Sequence, residues 1–599
     1  MYQYTPFDSE FVKARSAQYR DQLERNLAGK LGDDEFRPLR LQNGWYVQRY
    51  APMLRVAVPY GELNSAQLRV LSQIARDYDT PKPEVLATAQ TTQDKISATA
   101  AVPIDAPKLV TNCGHFTTRQ NVQFNWIPLE KSADVMDLLA SVNLHGIQTS
   151  GNCIRNITSD ERAGIAVDED VDPRPYAEML RQWSTLHPEF AYLPRKFKIA
   201  ITGATEDRAA IEWHDIGLRL LRDDEGQVGF KIYVGGGMGR TPMTGQVIRE
   251  FLPWNHIINY LEAVVRVYNN WGRRDNIYKA RIKILVKAEG QRYFDEVNEE
   301  FDRILESGAH HTIPQTELDR VSAYFVLPPV DVVSDEAQEK AEQALLAQAK
   351  ADKEFTRWLQ QNVTSHQNPG LRVVTLSFKR LGQAPGDATA DQLGIAADLA
   401  EKFSSGEVRV NHDQNLVLPW VRIDQLADLY KAAKAAGFAR ANVHLLTDMI
   451  ACPGGDYCAL ANARSLPIAA AITERYEDLD ELFDLGEIDL HISGCINSCG
   501  HHHSGHIGIL GVDKDGQEWY QVTLGGSDGS FLSGPAKAGK VVGPSFAAAE
   551  VVDVVEAVLD TYRDKREGHE TFARTLNRVG FDVFKAAANS ARNTTARAE

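Results

Sequence analysis

The apolar positions of this chain follow two alternating patterns. Short segments rich in β-branched and aromatic residues, such as LRVAVPY at 54–60 and FKIAITG at 197–203, have the length and composition of buried strands. Between such segments lie stretches with apolar residues at helical spacing, such as AQLRVLSQIARDY at 66–78 and ADQLGIAADLAEKF at 390–403. The pattern predicts an α+β fold in which mixed sheets pack against helices.

A weak internal repeat runs through the chain. Four short segments recur in the same order, the matched pairs being 53–56 with 370–373, 118–121 with 412–415, 214–217 with 505–508, and 235–236 with 525–526. The spacing between partners shrinks along the chain, so the first copy must contain extra residues. We interpret the Pro/Ala/Thr-rich stretch from Thr80 to Val110, which lacks hydrophobic periodicity, as a loop insertion. The repeat predicts two copies of one unit related by a pseudo-two-fold axis.

Composition narrows the class of protein. The 599 residues are too many for one hydrophobic core and predict about three or four domains. No apolar run is long enough to span a membrane, and the N-terminus lacks the pattern of a secretory signal, so we expect a cytoplasmic protein without a membrane partner. A formal net charge of −16 argues against a nucleic-acid partner, because a phosphate backbone favours a basic face.

Four of the six cysteines form two close pairs. Cys452 and Cys458 have five residues between them, and Cys495 and Cys499 have three. Glycines beside the thiols allow the backbone to approach a cluster and offer N–H groups to its sulfurs. Four thiolates are the usual ligands of an iron–sulfur cluster; zinc also accepts four, but its structural sites use shorter spacings than the first pair here. A metal site is therefore predicted, with four buried core cysteines as the alternative.

The paired motif Cys452-x5-Cys458 and Cys495-x3-Cys499 resembles the signature of the sirohaem-dependent sulfite and nitrite reductases. The resemblance extends from about Phe36 to the C-terminal helical tail and leaves out the stretch from Thr80 to Val110. It implies an internally duplicated fold around a central cofactor cleft, with a [4Fe-4S] cluster on the four cysteines. It also implies a sirohaem whose iron shares the Cys499 thiolate with the cluster.

The resemblance and the repeat together suggest six segments. They are an N-terminal extension at 1–45, a first ferredoxin-like half-domain at 46–130, a first sirohaem-domain repeat at 131–333, a helical connector at 334–367, a second ferredoxin-like half-domain at 368–430, and a second repeat at 431–599 with the cluster cysteines and a helical tail.

A substrate cavity lined with basic side chains is also implied by the resemblance, at Arg119, Arg155, Lys196 and Lys198. Sulfite and sirohaem are both anionic, and each electron adds charge, so a dry cavity needs fixed cations. The arginines are expected to anchor the anion through paired donors, and the lysines to anchor it and deliver protons. The candidates to bind the sirohaem carboxylates are Arg55, Arg119, Arg155, Lys279 and Arg281.

The second lysine of the KFK segment bears on the substrate. Nitrite-preferring plant relatives typically carry Asn at this position and sulfite reductases keep Lys, so Lys198 favours the six-electron reduction of sulfite to sulfide. Reduction of nitrite to ammonium by the same cofactors is the alternative. No flavodoxin-like or dinucleotide-binding segment is evident, so electrons are expected from a separate ferredoxin or NADPH-dependent flavoprotein.

Three further motifs can be explained without a catalytic or metal-binding role. The run His501–His503 is expected to be structural or solvent-facing and not a second metal site. Residues 235–239, GGGMG, superficially resemble a dinucleotide fingerprint, but the repeat partner lacks that spacing, so we predict a loop beside a large cofactor. Cys153 lies where some relatives carry a thioether crosslink to a tyrosine; Tyr50 is a possible partner, and a free buried thiol is the alternative.

Overall fold

The structure, a computed structural model, describes residues 1–100, 109–329 and 335–592. Within these ranges no helix is long and apolar enough to cross a bilayer. The helices are α1 Pro6–Leu27, α2 Asp33–Gln42, α3 Ser65–Asp77, α4 Pro83–Ala100, α5 Ser132–Ser141, α6 Arg174–Ser184, α7 Ile257–Trp271, α8 Ile282–Glu289, α9 Gln291–Glu306, α10 Gln315–Ser322, α11 Asp335–Ala351, α12 Lys353–Gln361, α13 Ala390–Phe403, α14 Leu426–Ala436, α15 Leu466–Arg475, α16 Leu479–Leu485, α17 Val551–Lys565, α18 Phe572–Val579 and α19 Phe581–Ala591.

The strands form four mixed or antiparallel sheets within the same ranges. They are β1 Trp45–Val47, β2 Pro52–Val56, β3 Glu62–Asn64, β4 Cys113–Phe116, β5 Val122–Phe124, β6 Thr158–Ser159, β7 Ile199–Thr202, β8 Ile216–Arg222, β9 Val228–Val234, β10 Gln246–Pro253, β11 Val363–Ser365, β12 Leu371–Leu376, β13 Asp387–Thr389, β14 Glu407–Val410, β15 Leu416–Arg422, β16 Ile450–Ala451, β17 Leu490–Ser493, β18 Ile507–Lys514, β19 Gln517–Leu524, β20 Lys540–Val541 and β21 Phe546–Ala547.

Two of the sheets exchange a strand with each other. The first has the order β1-β2-β5-β4-β13 and the second has the order β11-β12-β15-β14-β3. Strand β13 therefore comes from the second copy of the repeat and β3 from the first. The exchange ties the copies together through reciprocal backbone hydrogen bonds, and both sheets contribute to one hydrophobic core.

The helix that follows each exchanged strand begins in the same way. Asn64 caps α3 through a capping box with Gln67, and Thr389 caps α13 through a capping box with Gln392. Each box satisfies backbone N–H groups that the first helical turn leaves without partners. Both helices then bury their apolar faces in the shared core, so each helix begins at its capping box and is held by the packing that follows.

The other two sheets repeat one topology. In the sheet β10-β9-β8-β7-β6, strands β6, β7 and β8 are parallel and β9 is antiparallel to β8. In the sheet that contains β16 to β21, strands β16, β17 and β18 are parallel and β19 is antiparallel to β18. The predicted duplication is confirmed, and helix α17 of the C-terminal tail buries its apolar face in the core of the second copy.

The register corrects one match of the sequence repeat. Val56 pairs with Val122, and the equivalent pair in the second copy is Leu376 with Leu416. Val56 therefore corresponds to Leu376, three residues beyond the partner that the match of 53–56 with 370–373 implies. The sequence match was wrong there because similar residues recur in β12, which also carries a register shift.

The insertion in the first copy is not the predicted loop. Residues 83–100 form helix α4, in which Ala89 and Gln93 are fully buried. Composition misled the prediction, because few positions of this helix are apolar enough to produce a period. Residues 101–108 lie outside the described part of the chain.

A buried ion-pair network joins the two copies near β3 and β14. The Arg409 guanidinium donates to the Glu407 carboxylate at 2.9 Å and to the carbonyl oxygens of Glu161 and Ala163 at 3.0 and 2.7 Å. Glu62, on the exchanged strand β3, pairs with Arg174 at 3.0 Å. Water cannot replace these partners, because Arg409 is 1% exposed and Glu407 is 3% exposed.

We expect Arg409→Met to lower the free energy of unfolding by about 3 kcal/mol, because it removes the buried guanidinium donor from two carbonyl oxygens and from Glu407, which keeps the Trp420 N–H and the N-terminal ammonium group as partners. Arg422→Met is the matched control. Arg422 pairs with Asp424 in a partly exposed position, where an ion pair contributes about 1 kcal/mol or less. Denaturant titration of the two variants checks the prediction, and equal losses would contradict it.

Candidate active site

The two cysteine pairs follow neighbouring parallel strands. Cys452 comes directly after β16, and Cys495 lies two residues after β17, which pairs with β16 in parallel register. The carboxyl ends of parallel strands meet at one edge of the sheet, so both cysteine segments lie at the same edge. The Gly494 N–H points at the Cys452 sulfur at 3.3 Å, which is the kind of backbone donor that an anionic sulfur ligand needs.

The thiols are close enough to influence one another. Burial, followed by the charge of the Cys499 thiolate, raises the pKa of Cys452 to about 12. Burial and neighbouring thiolates likewise raise the pKa of Cys458 and of Cys495. Four anionic sulfurs this close are unfavourable on their own and would be stabilised by the positive charge of a metal cluster. Within the described ranges, no three His, Cys, Asp or Glu side chains are grouped as ligands of a single ion, the histidine run included.

Cys499 faces the basic residues of the first copy. Its carbonyl oxygen accepts a hydrogen bond from the Thr118 hydroxyl at 2.9 Å, and Thr118 precedes Arg119 at the tip of the β4–β5 hairpin. The electrostatic influence of Cys499 reaches both Lys196 and Lys198. The thiol-bearing segment of one copy and the cationic segment of the other therefore meet at one place.

Backbone pairing gathers the substrate-cavity candidates. Ile154 and Phe197 form a bridge, and the Arg155 N–H donates to the Phe197 carbonyl oxygen at 2.8 Å, which brings Arg155 beside the KFK segment. The Arg155 guanidinium donates to the carbonyl oxygens of Thr149 and Gly151, and that of Arg119 donates to the Thr158 hydroxyl and the Asn156 carbonyl oxygen. These neutral partners hold the arginines in place without cancelling their charge.

The two lysines complete the cationic cluster. Within the described ranges neither ammonium group has a hydrogen bond or an ion pair. Burial, together with Arg155 and Arg281, lowers the pKa of Lys196 to about 8, against the opposing influence of Cys499. Burial and the neighbouring cations lower the pKa of Lys198 well below its usual value. Mutually repelling ammonium groups without acceptors are suited to bind an anion.

Arg281 is held by an acidic residue that sequence analysis missed. The fully buried Asp215 carboxylate accepts from the Arg281 guanidinium at 2.7 Å and from the Lys198 backbone N–H at 2.9 Å. It therefore fixes Arg281 and the KFK segment relative to each other. A single acid carries no recognisable spacing, so only the pairing of β7 with β8 reveals its position.

Lys283 was also missed, and it shapes the glycine-rich loop. Its ammonium group donates to the carbonyl oxygens of Gly237, Met238 and Thr241. The predicted loop is confirmed, and its residue Gly237 has a φ of 152°. The loop contacts the histidine run, because the Gly239 carbonyl oxygen lies 3.0 Å from the His503 ring nitrogen. The loop thus lies against the segment that follows Cys499.

Arg55 lies at the edge of the cationic cluster beside a tyrosine that the sequence analysis did not single out. Its guanidinium donates to the Thr149 carbonyl oxygen at 3.2 Å, next to Arg155, and stacks over the Tyr46 ring. Burial raises the pKa of the Tyr46 phenol, but the charges of Arg155 and Arg55 outweigh this effect and bring the pKa down to about 8. Tyr46 is therefore a titratable neighbour of the candidate cavity.

Two other candidates occupy different surroundings. Lys279 lies in an exposed turn between α7 and α8, next to the segment of Arg281, and its role stays a prediction. Tyr50 stacks on Trp126 with ring centroids 6.3 Å apart, while the Cys153 thiol donates to the Ser150 carbonyl oxygen. The position of Tyr50 gives no support to the crosslink, which also stays a prediction.

The equivalent position in the second copy has acidic residues in place of the cations. By the repeat register, Arg119 corresponds to Asp413, Lys198 to Asp489, and Asp215 to His506. Burial, followed by the neighbouring carboxylates, raises the pKa of Asp489 to about 8. Of the two related positions, therefore, only the one in the first copy suits an anion.

The histidine run is structural, with His502 buried and His501 and His503 half-buried. His502 is fully buried and lies 3.1 Å from the Ser498 hydroxyl, and His503 contacts the glycine-rich loop. Burial lowers the pKa of His502 well below its usual value and that of His503 to about 4. The structural part of the prediction is confirmed, and the solvent-facing alternative is wrong for His502, whereas His503 is half-buried.

These features define a class of site: a four-thiol cluster site that meets a cationic cavity across a duplicated fold. Comparison with known proteins points to the same class of site. The description "Nitrite and sulphite reductase 4Fe-4S domain" matches residues 150–304 and again residues 444–594, and "Nitrite/Sulfite reductase ferredoxin-like half domain" matches residues 375–436. The chain belongs to the nitrite and sulphite reductase family, whose members carry sirohaem and a [4Fe-4S] cluster.

Curated relatives carry the names of both activities. A "Sulfite reductase [ferredoxin] 1" of Mycolicibacterium paratuberculosis is 27% identical over 76% of this chain and 75% of its own length. An "Assimilatory ferredoxin-dependent nitrite reductase" of Haloferax mediterranei is 26% identical over 89% of this chain and 82% of its own. The solved structure of the Mycobacterium tuberculosis NirA protein has the same fold, with a TM-score of 0.72, 23% identity, and coverage of 96% and 97% of the two chains.

Proposed function

We propose that this enzyme reduces sulfite to sulfide with six electrons, at a sirohaem coupled through Cys499 to a [4Fe-4S] cluster. One observation carries the proposal: two lysine ammonium groups without partners stand beside two arginines and face the segment of Cys499. When bound, the sirohaem and cluster would supply a metal that binds the substrate and a store of electrons for it.

Each cysteine and cation has a proposed role. Cys452, Cys458 and Cys495 would hold the cluster, and Cys499 would join it to the sirohaem. Arg119 and Arg155, whose guanidinium groups are fixed by backbone carbonyl oxygens, would orient the anion. Lys196 and Lys198 would bind it and donate protons to its oxygen atoms as S–O bonds break. The sirohaem carboxylates are assigned to Arg55, Arg119, Arg155, Lys279 and Arg281.

Sulfite is favoured over nitrite by the charge of the cavity. Doubly ionised sulfite carries more charge than nitrite and gains more from an additional cation such as Lys198. Nitrite reduction to ammonium is the second candidate function, because relatives of similar identity are named nitrite reductases. The donor follows the names of these relatives: we propose a ferredoxin, with an NADPH-dependent flavoprotein as the alternative, in cytoplasmic sulfate assimilation and cysteine biosynthesis.

The test begins with protein made in a host that supplies sirohaem. Its absorption spectrum, iron content and acid-labile sulfide are measured, followed by steady-state reduction of sulfite and of nitrite with a chemical donor. We expect haem-like absorption, about four non-haem irons per chain, and a larger kcat/KM for sulfite. Bound zinc without a chromophore would overturn the proposal, and a larger kcat/KM for nitrite would transfer it to the second substrate.

The pH profile offers a second test of the lysine roles. Because the pKa of Lys196 is lowered to about 8, its ammonium form is present below that pH and is lost as pH rises through it. We expect kcat/KM for sulfite to fall about tenfold per pH unit above pH 8. Lys196→Arg keeps the charge, so its profile should fall less steeply over the same range, and the remaining fall comes from the Tyr46 phenol, whose pKa is also about 8. Identical profiles for the two proteins would remove Lys196 from the cavity.

A further inference from the structure

The insertion helix α4 packs on the loop that carries the first cysteine pair. Gln93 of α4 is 1% exposed, and its side-chain amide donates a hydrogen bond to the carboxylate of Asp456, which is 2% exposed. Asp456 lies between Cys452 and Cys458, two residues before the second thiol. A helix that has no counterpart in the second copy thus reaches the cysteine loop through a buried polar contact.

A second contact joins the end of the insertion to the same loop. The Tyr457 hydroxyl donates to the Val110 carbonyl oxygen at 3.1 Å and accepts from the Val110 N–H at 3.0 Å. The Tyr457 ring packs edge-on against Trp126 with ring centroids 5.6 Å apart. Tyr457 directly precedes Cys458, so both residues before this thiol are held by the insertion.

Apolar packing closes the space between the two contacts. Tyr457 and Trp126 belong to a buried cluster whose other members come mainly from the insertion and its surroundings: Ala89, Leu109 and Leu466, with Tyr50, Ala51, Val85, Leu86 and Ala384 at the margin. Gln93 and Asp456 are both buried, and a hydrogen bond between buried groups is stronger than one in water. The geometry therefore resists movement of the Cys458 segment.

We propose that α4 is a clamp on the cluster loop, in which Gln93 and Tyr457 position Cys458, slow the loss of the iron–sulfur cluster and shield it from water. The proposal rests on the assignment of Cys452 and Cys458 as cluster ligands. Gln93 acts as a positioning residue through Asp456 and has no contact with the reacting atoms. A protein sets the reduction potential of such a cluster by excluding water from it and by fixing the geometry of its ligands.

The test measures the cluster itself in the reconstituted full chain. Gln93→Ala and Tyr457→Phe each remove contacts from the insertion to the loop and leave the backbone unchanged. Gln90→Ala is the matched control, because Gln90 is on the same helix and bonds only within it, to Asp94. Loss of cluster absorption in excess chelator gives the rate, and the electron paramagnetic resonance spectrum of the reduced cluster reports the geometry of its ligands.

We expect Gln93→Ala and Tyr457→Phe each to lose the cluster about tenfold faster than the parent and to alter the spectrum, since the buried hydrogen bond to the Asp456 carboxyl group is removed in one case and two hydrogen bonds to Val110 in the other. Gln90→Ala should match the parent. Rates within about twofold of the parent for both variants would overturn the clamp, as would a fall in thermal stability that releases both cofactors together. A parent protein without acid-labile sulfide would instead overturn the ligand assignment, so the two failures are distinguishable.

Discussion

Cys499→Ser should abolish sulfite reduction, lowering kcat by at least about a thousandfold. Serine offers a hydroxyl in place of a thiolate, and a hydroxyl is a poor ligand for either the cluster or the haem iron. Cys499 is also a proposed cluster ligand whose charge acts on Lys196 and Lys198 of the first copy, so its loss should separate the two halves of the proposed site. Sirohaem content, cluster content and steady-state activity of the purified variant check this expectation.

Cys113→Ser is the control for the same chemical change. Cys113 is buried in β4, and its thiol, whose pKa is raised by burial and by nearby carboxylates, has no part in the proposed site. We expect both cofactors and most of the activity to survive in this variant. Full activity of Cys499→Ser would disprove the bridging role, whereas loss of activity in both variants would attribute the effect to misfolding.

The repeat could be predicted because short segments recur in one order, and the pairing of the four cysteines is visible in the sequence for the same reason, although their role as cluster ligands stays a prediction. Two pairs of thiols in short glycine-rich segments predict a cluster site without any knowledge of the rest of the fold. The cavity residues were predictable only through family resemblance, since a lone lysine is ordinarily a solvated surface charge. The structure supplies the physical reason for their grouping: a bridge between Ile154 and Phe197 joins two segments far apart in sequence.

Long-range pairing explains what the sequence could not reveal. Strands β3 and β13 have three residues each, too few to show alternation, and each joins the sheet of the other copy. Asp215 and Tyr46 enter the site only after their strands have paired. Helix α4 was mistaken for a loop because its buried face is marked by an alanine and a glutamine, Ala89 and Gln93, and not by a row of large apolar residues.

The two copies differ in the residue types at the proposed anion site, and this difference suggests why only one copy holds the site. Both copies retain the same strand order and the same left-handed residue at the hairpin tip, Gln120 and Gln414, whose side chains hydrogen-bond across to the other copy. The neighbouring residue is Arg119 in one copy and Asp413 in the other. The two copies therefore share the strand order and the hairpin tips through which they pack. They differ in the side chains at the position where we propose that the anion binds.

Lys198→Asn should lower kcat/KM for sulfite about 100-fold and for nitrite about tenfold or less. The removed side chain has no partner among the described residues, and a bound anion favours its charged form over the opposing effect of burial, so its charge acts on the substrate; one preorganised donor contributes roughly 10²–10³ in rate. A dianion loses more than a monoanion when one cation is removed. Steady-state kinetics with both anions at one pH measure the ratio, and a 100-fold loss corresponds to about 2.7 kcal/mol of transition-state stabilisation.

Lys231→Asn controls for loss of a lysine from the same sheet. Lys231 lies in β9 and pairs with Glu250 at 2.8 Å, outside the cationic cluster, so neither activity should change. If Lys198→Asn reduces both activities equally, the charge of Lys198 does not discriminate between the anions and the preference for sulfite loses its physical basis. If the sulfite activity falls alone, the additional cation is the feature that fits this cavity to the more highly charged substrate.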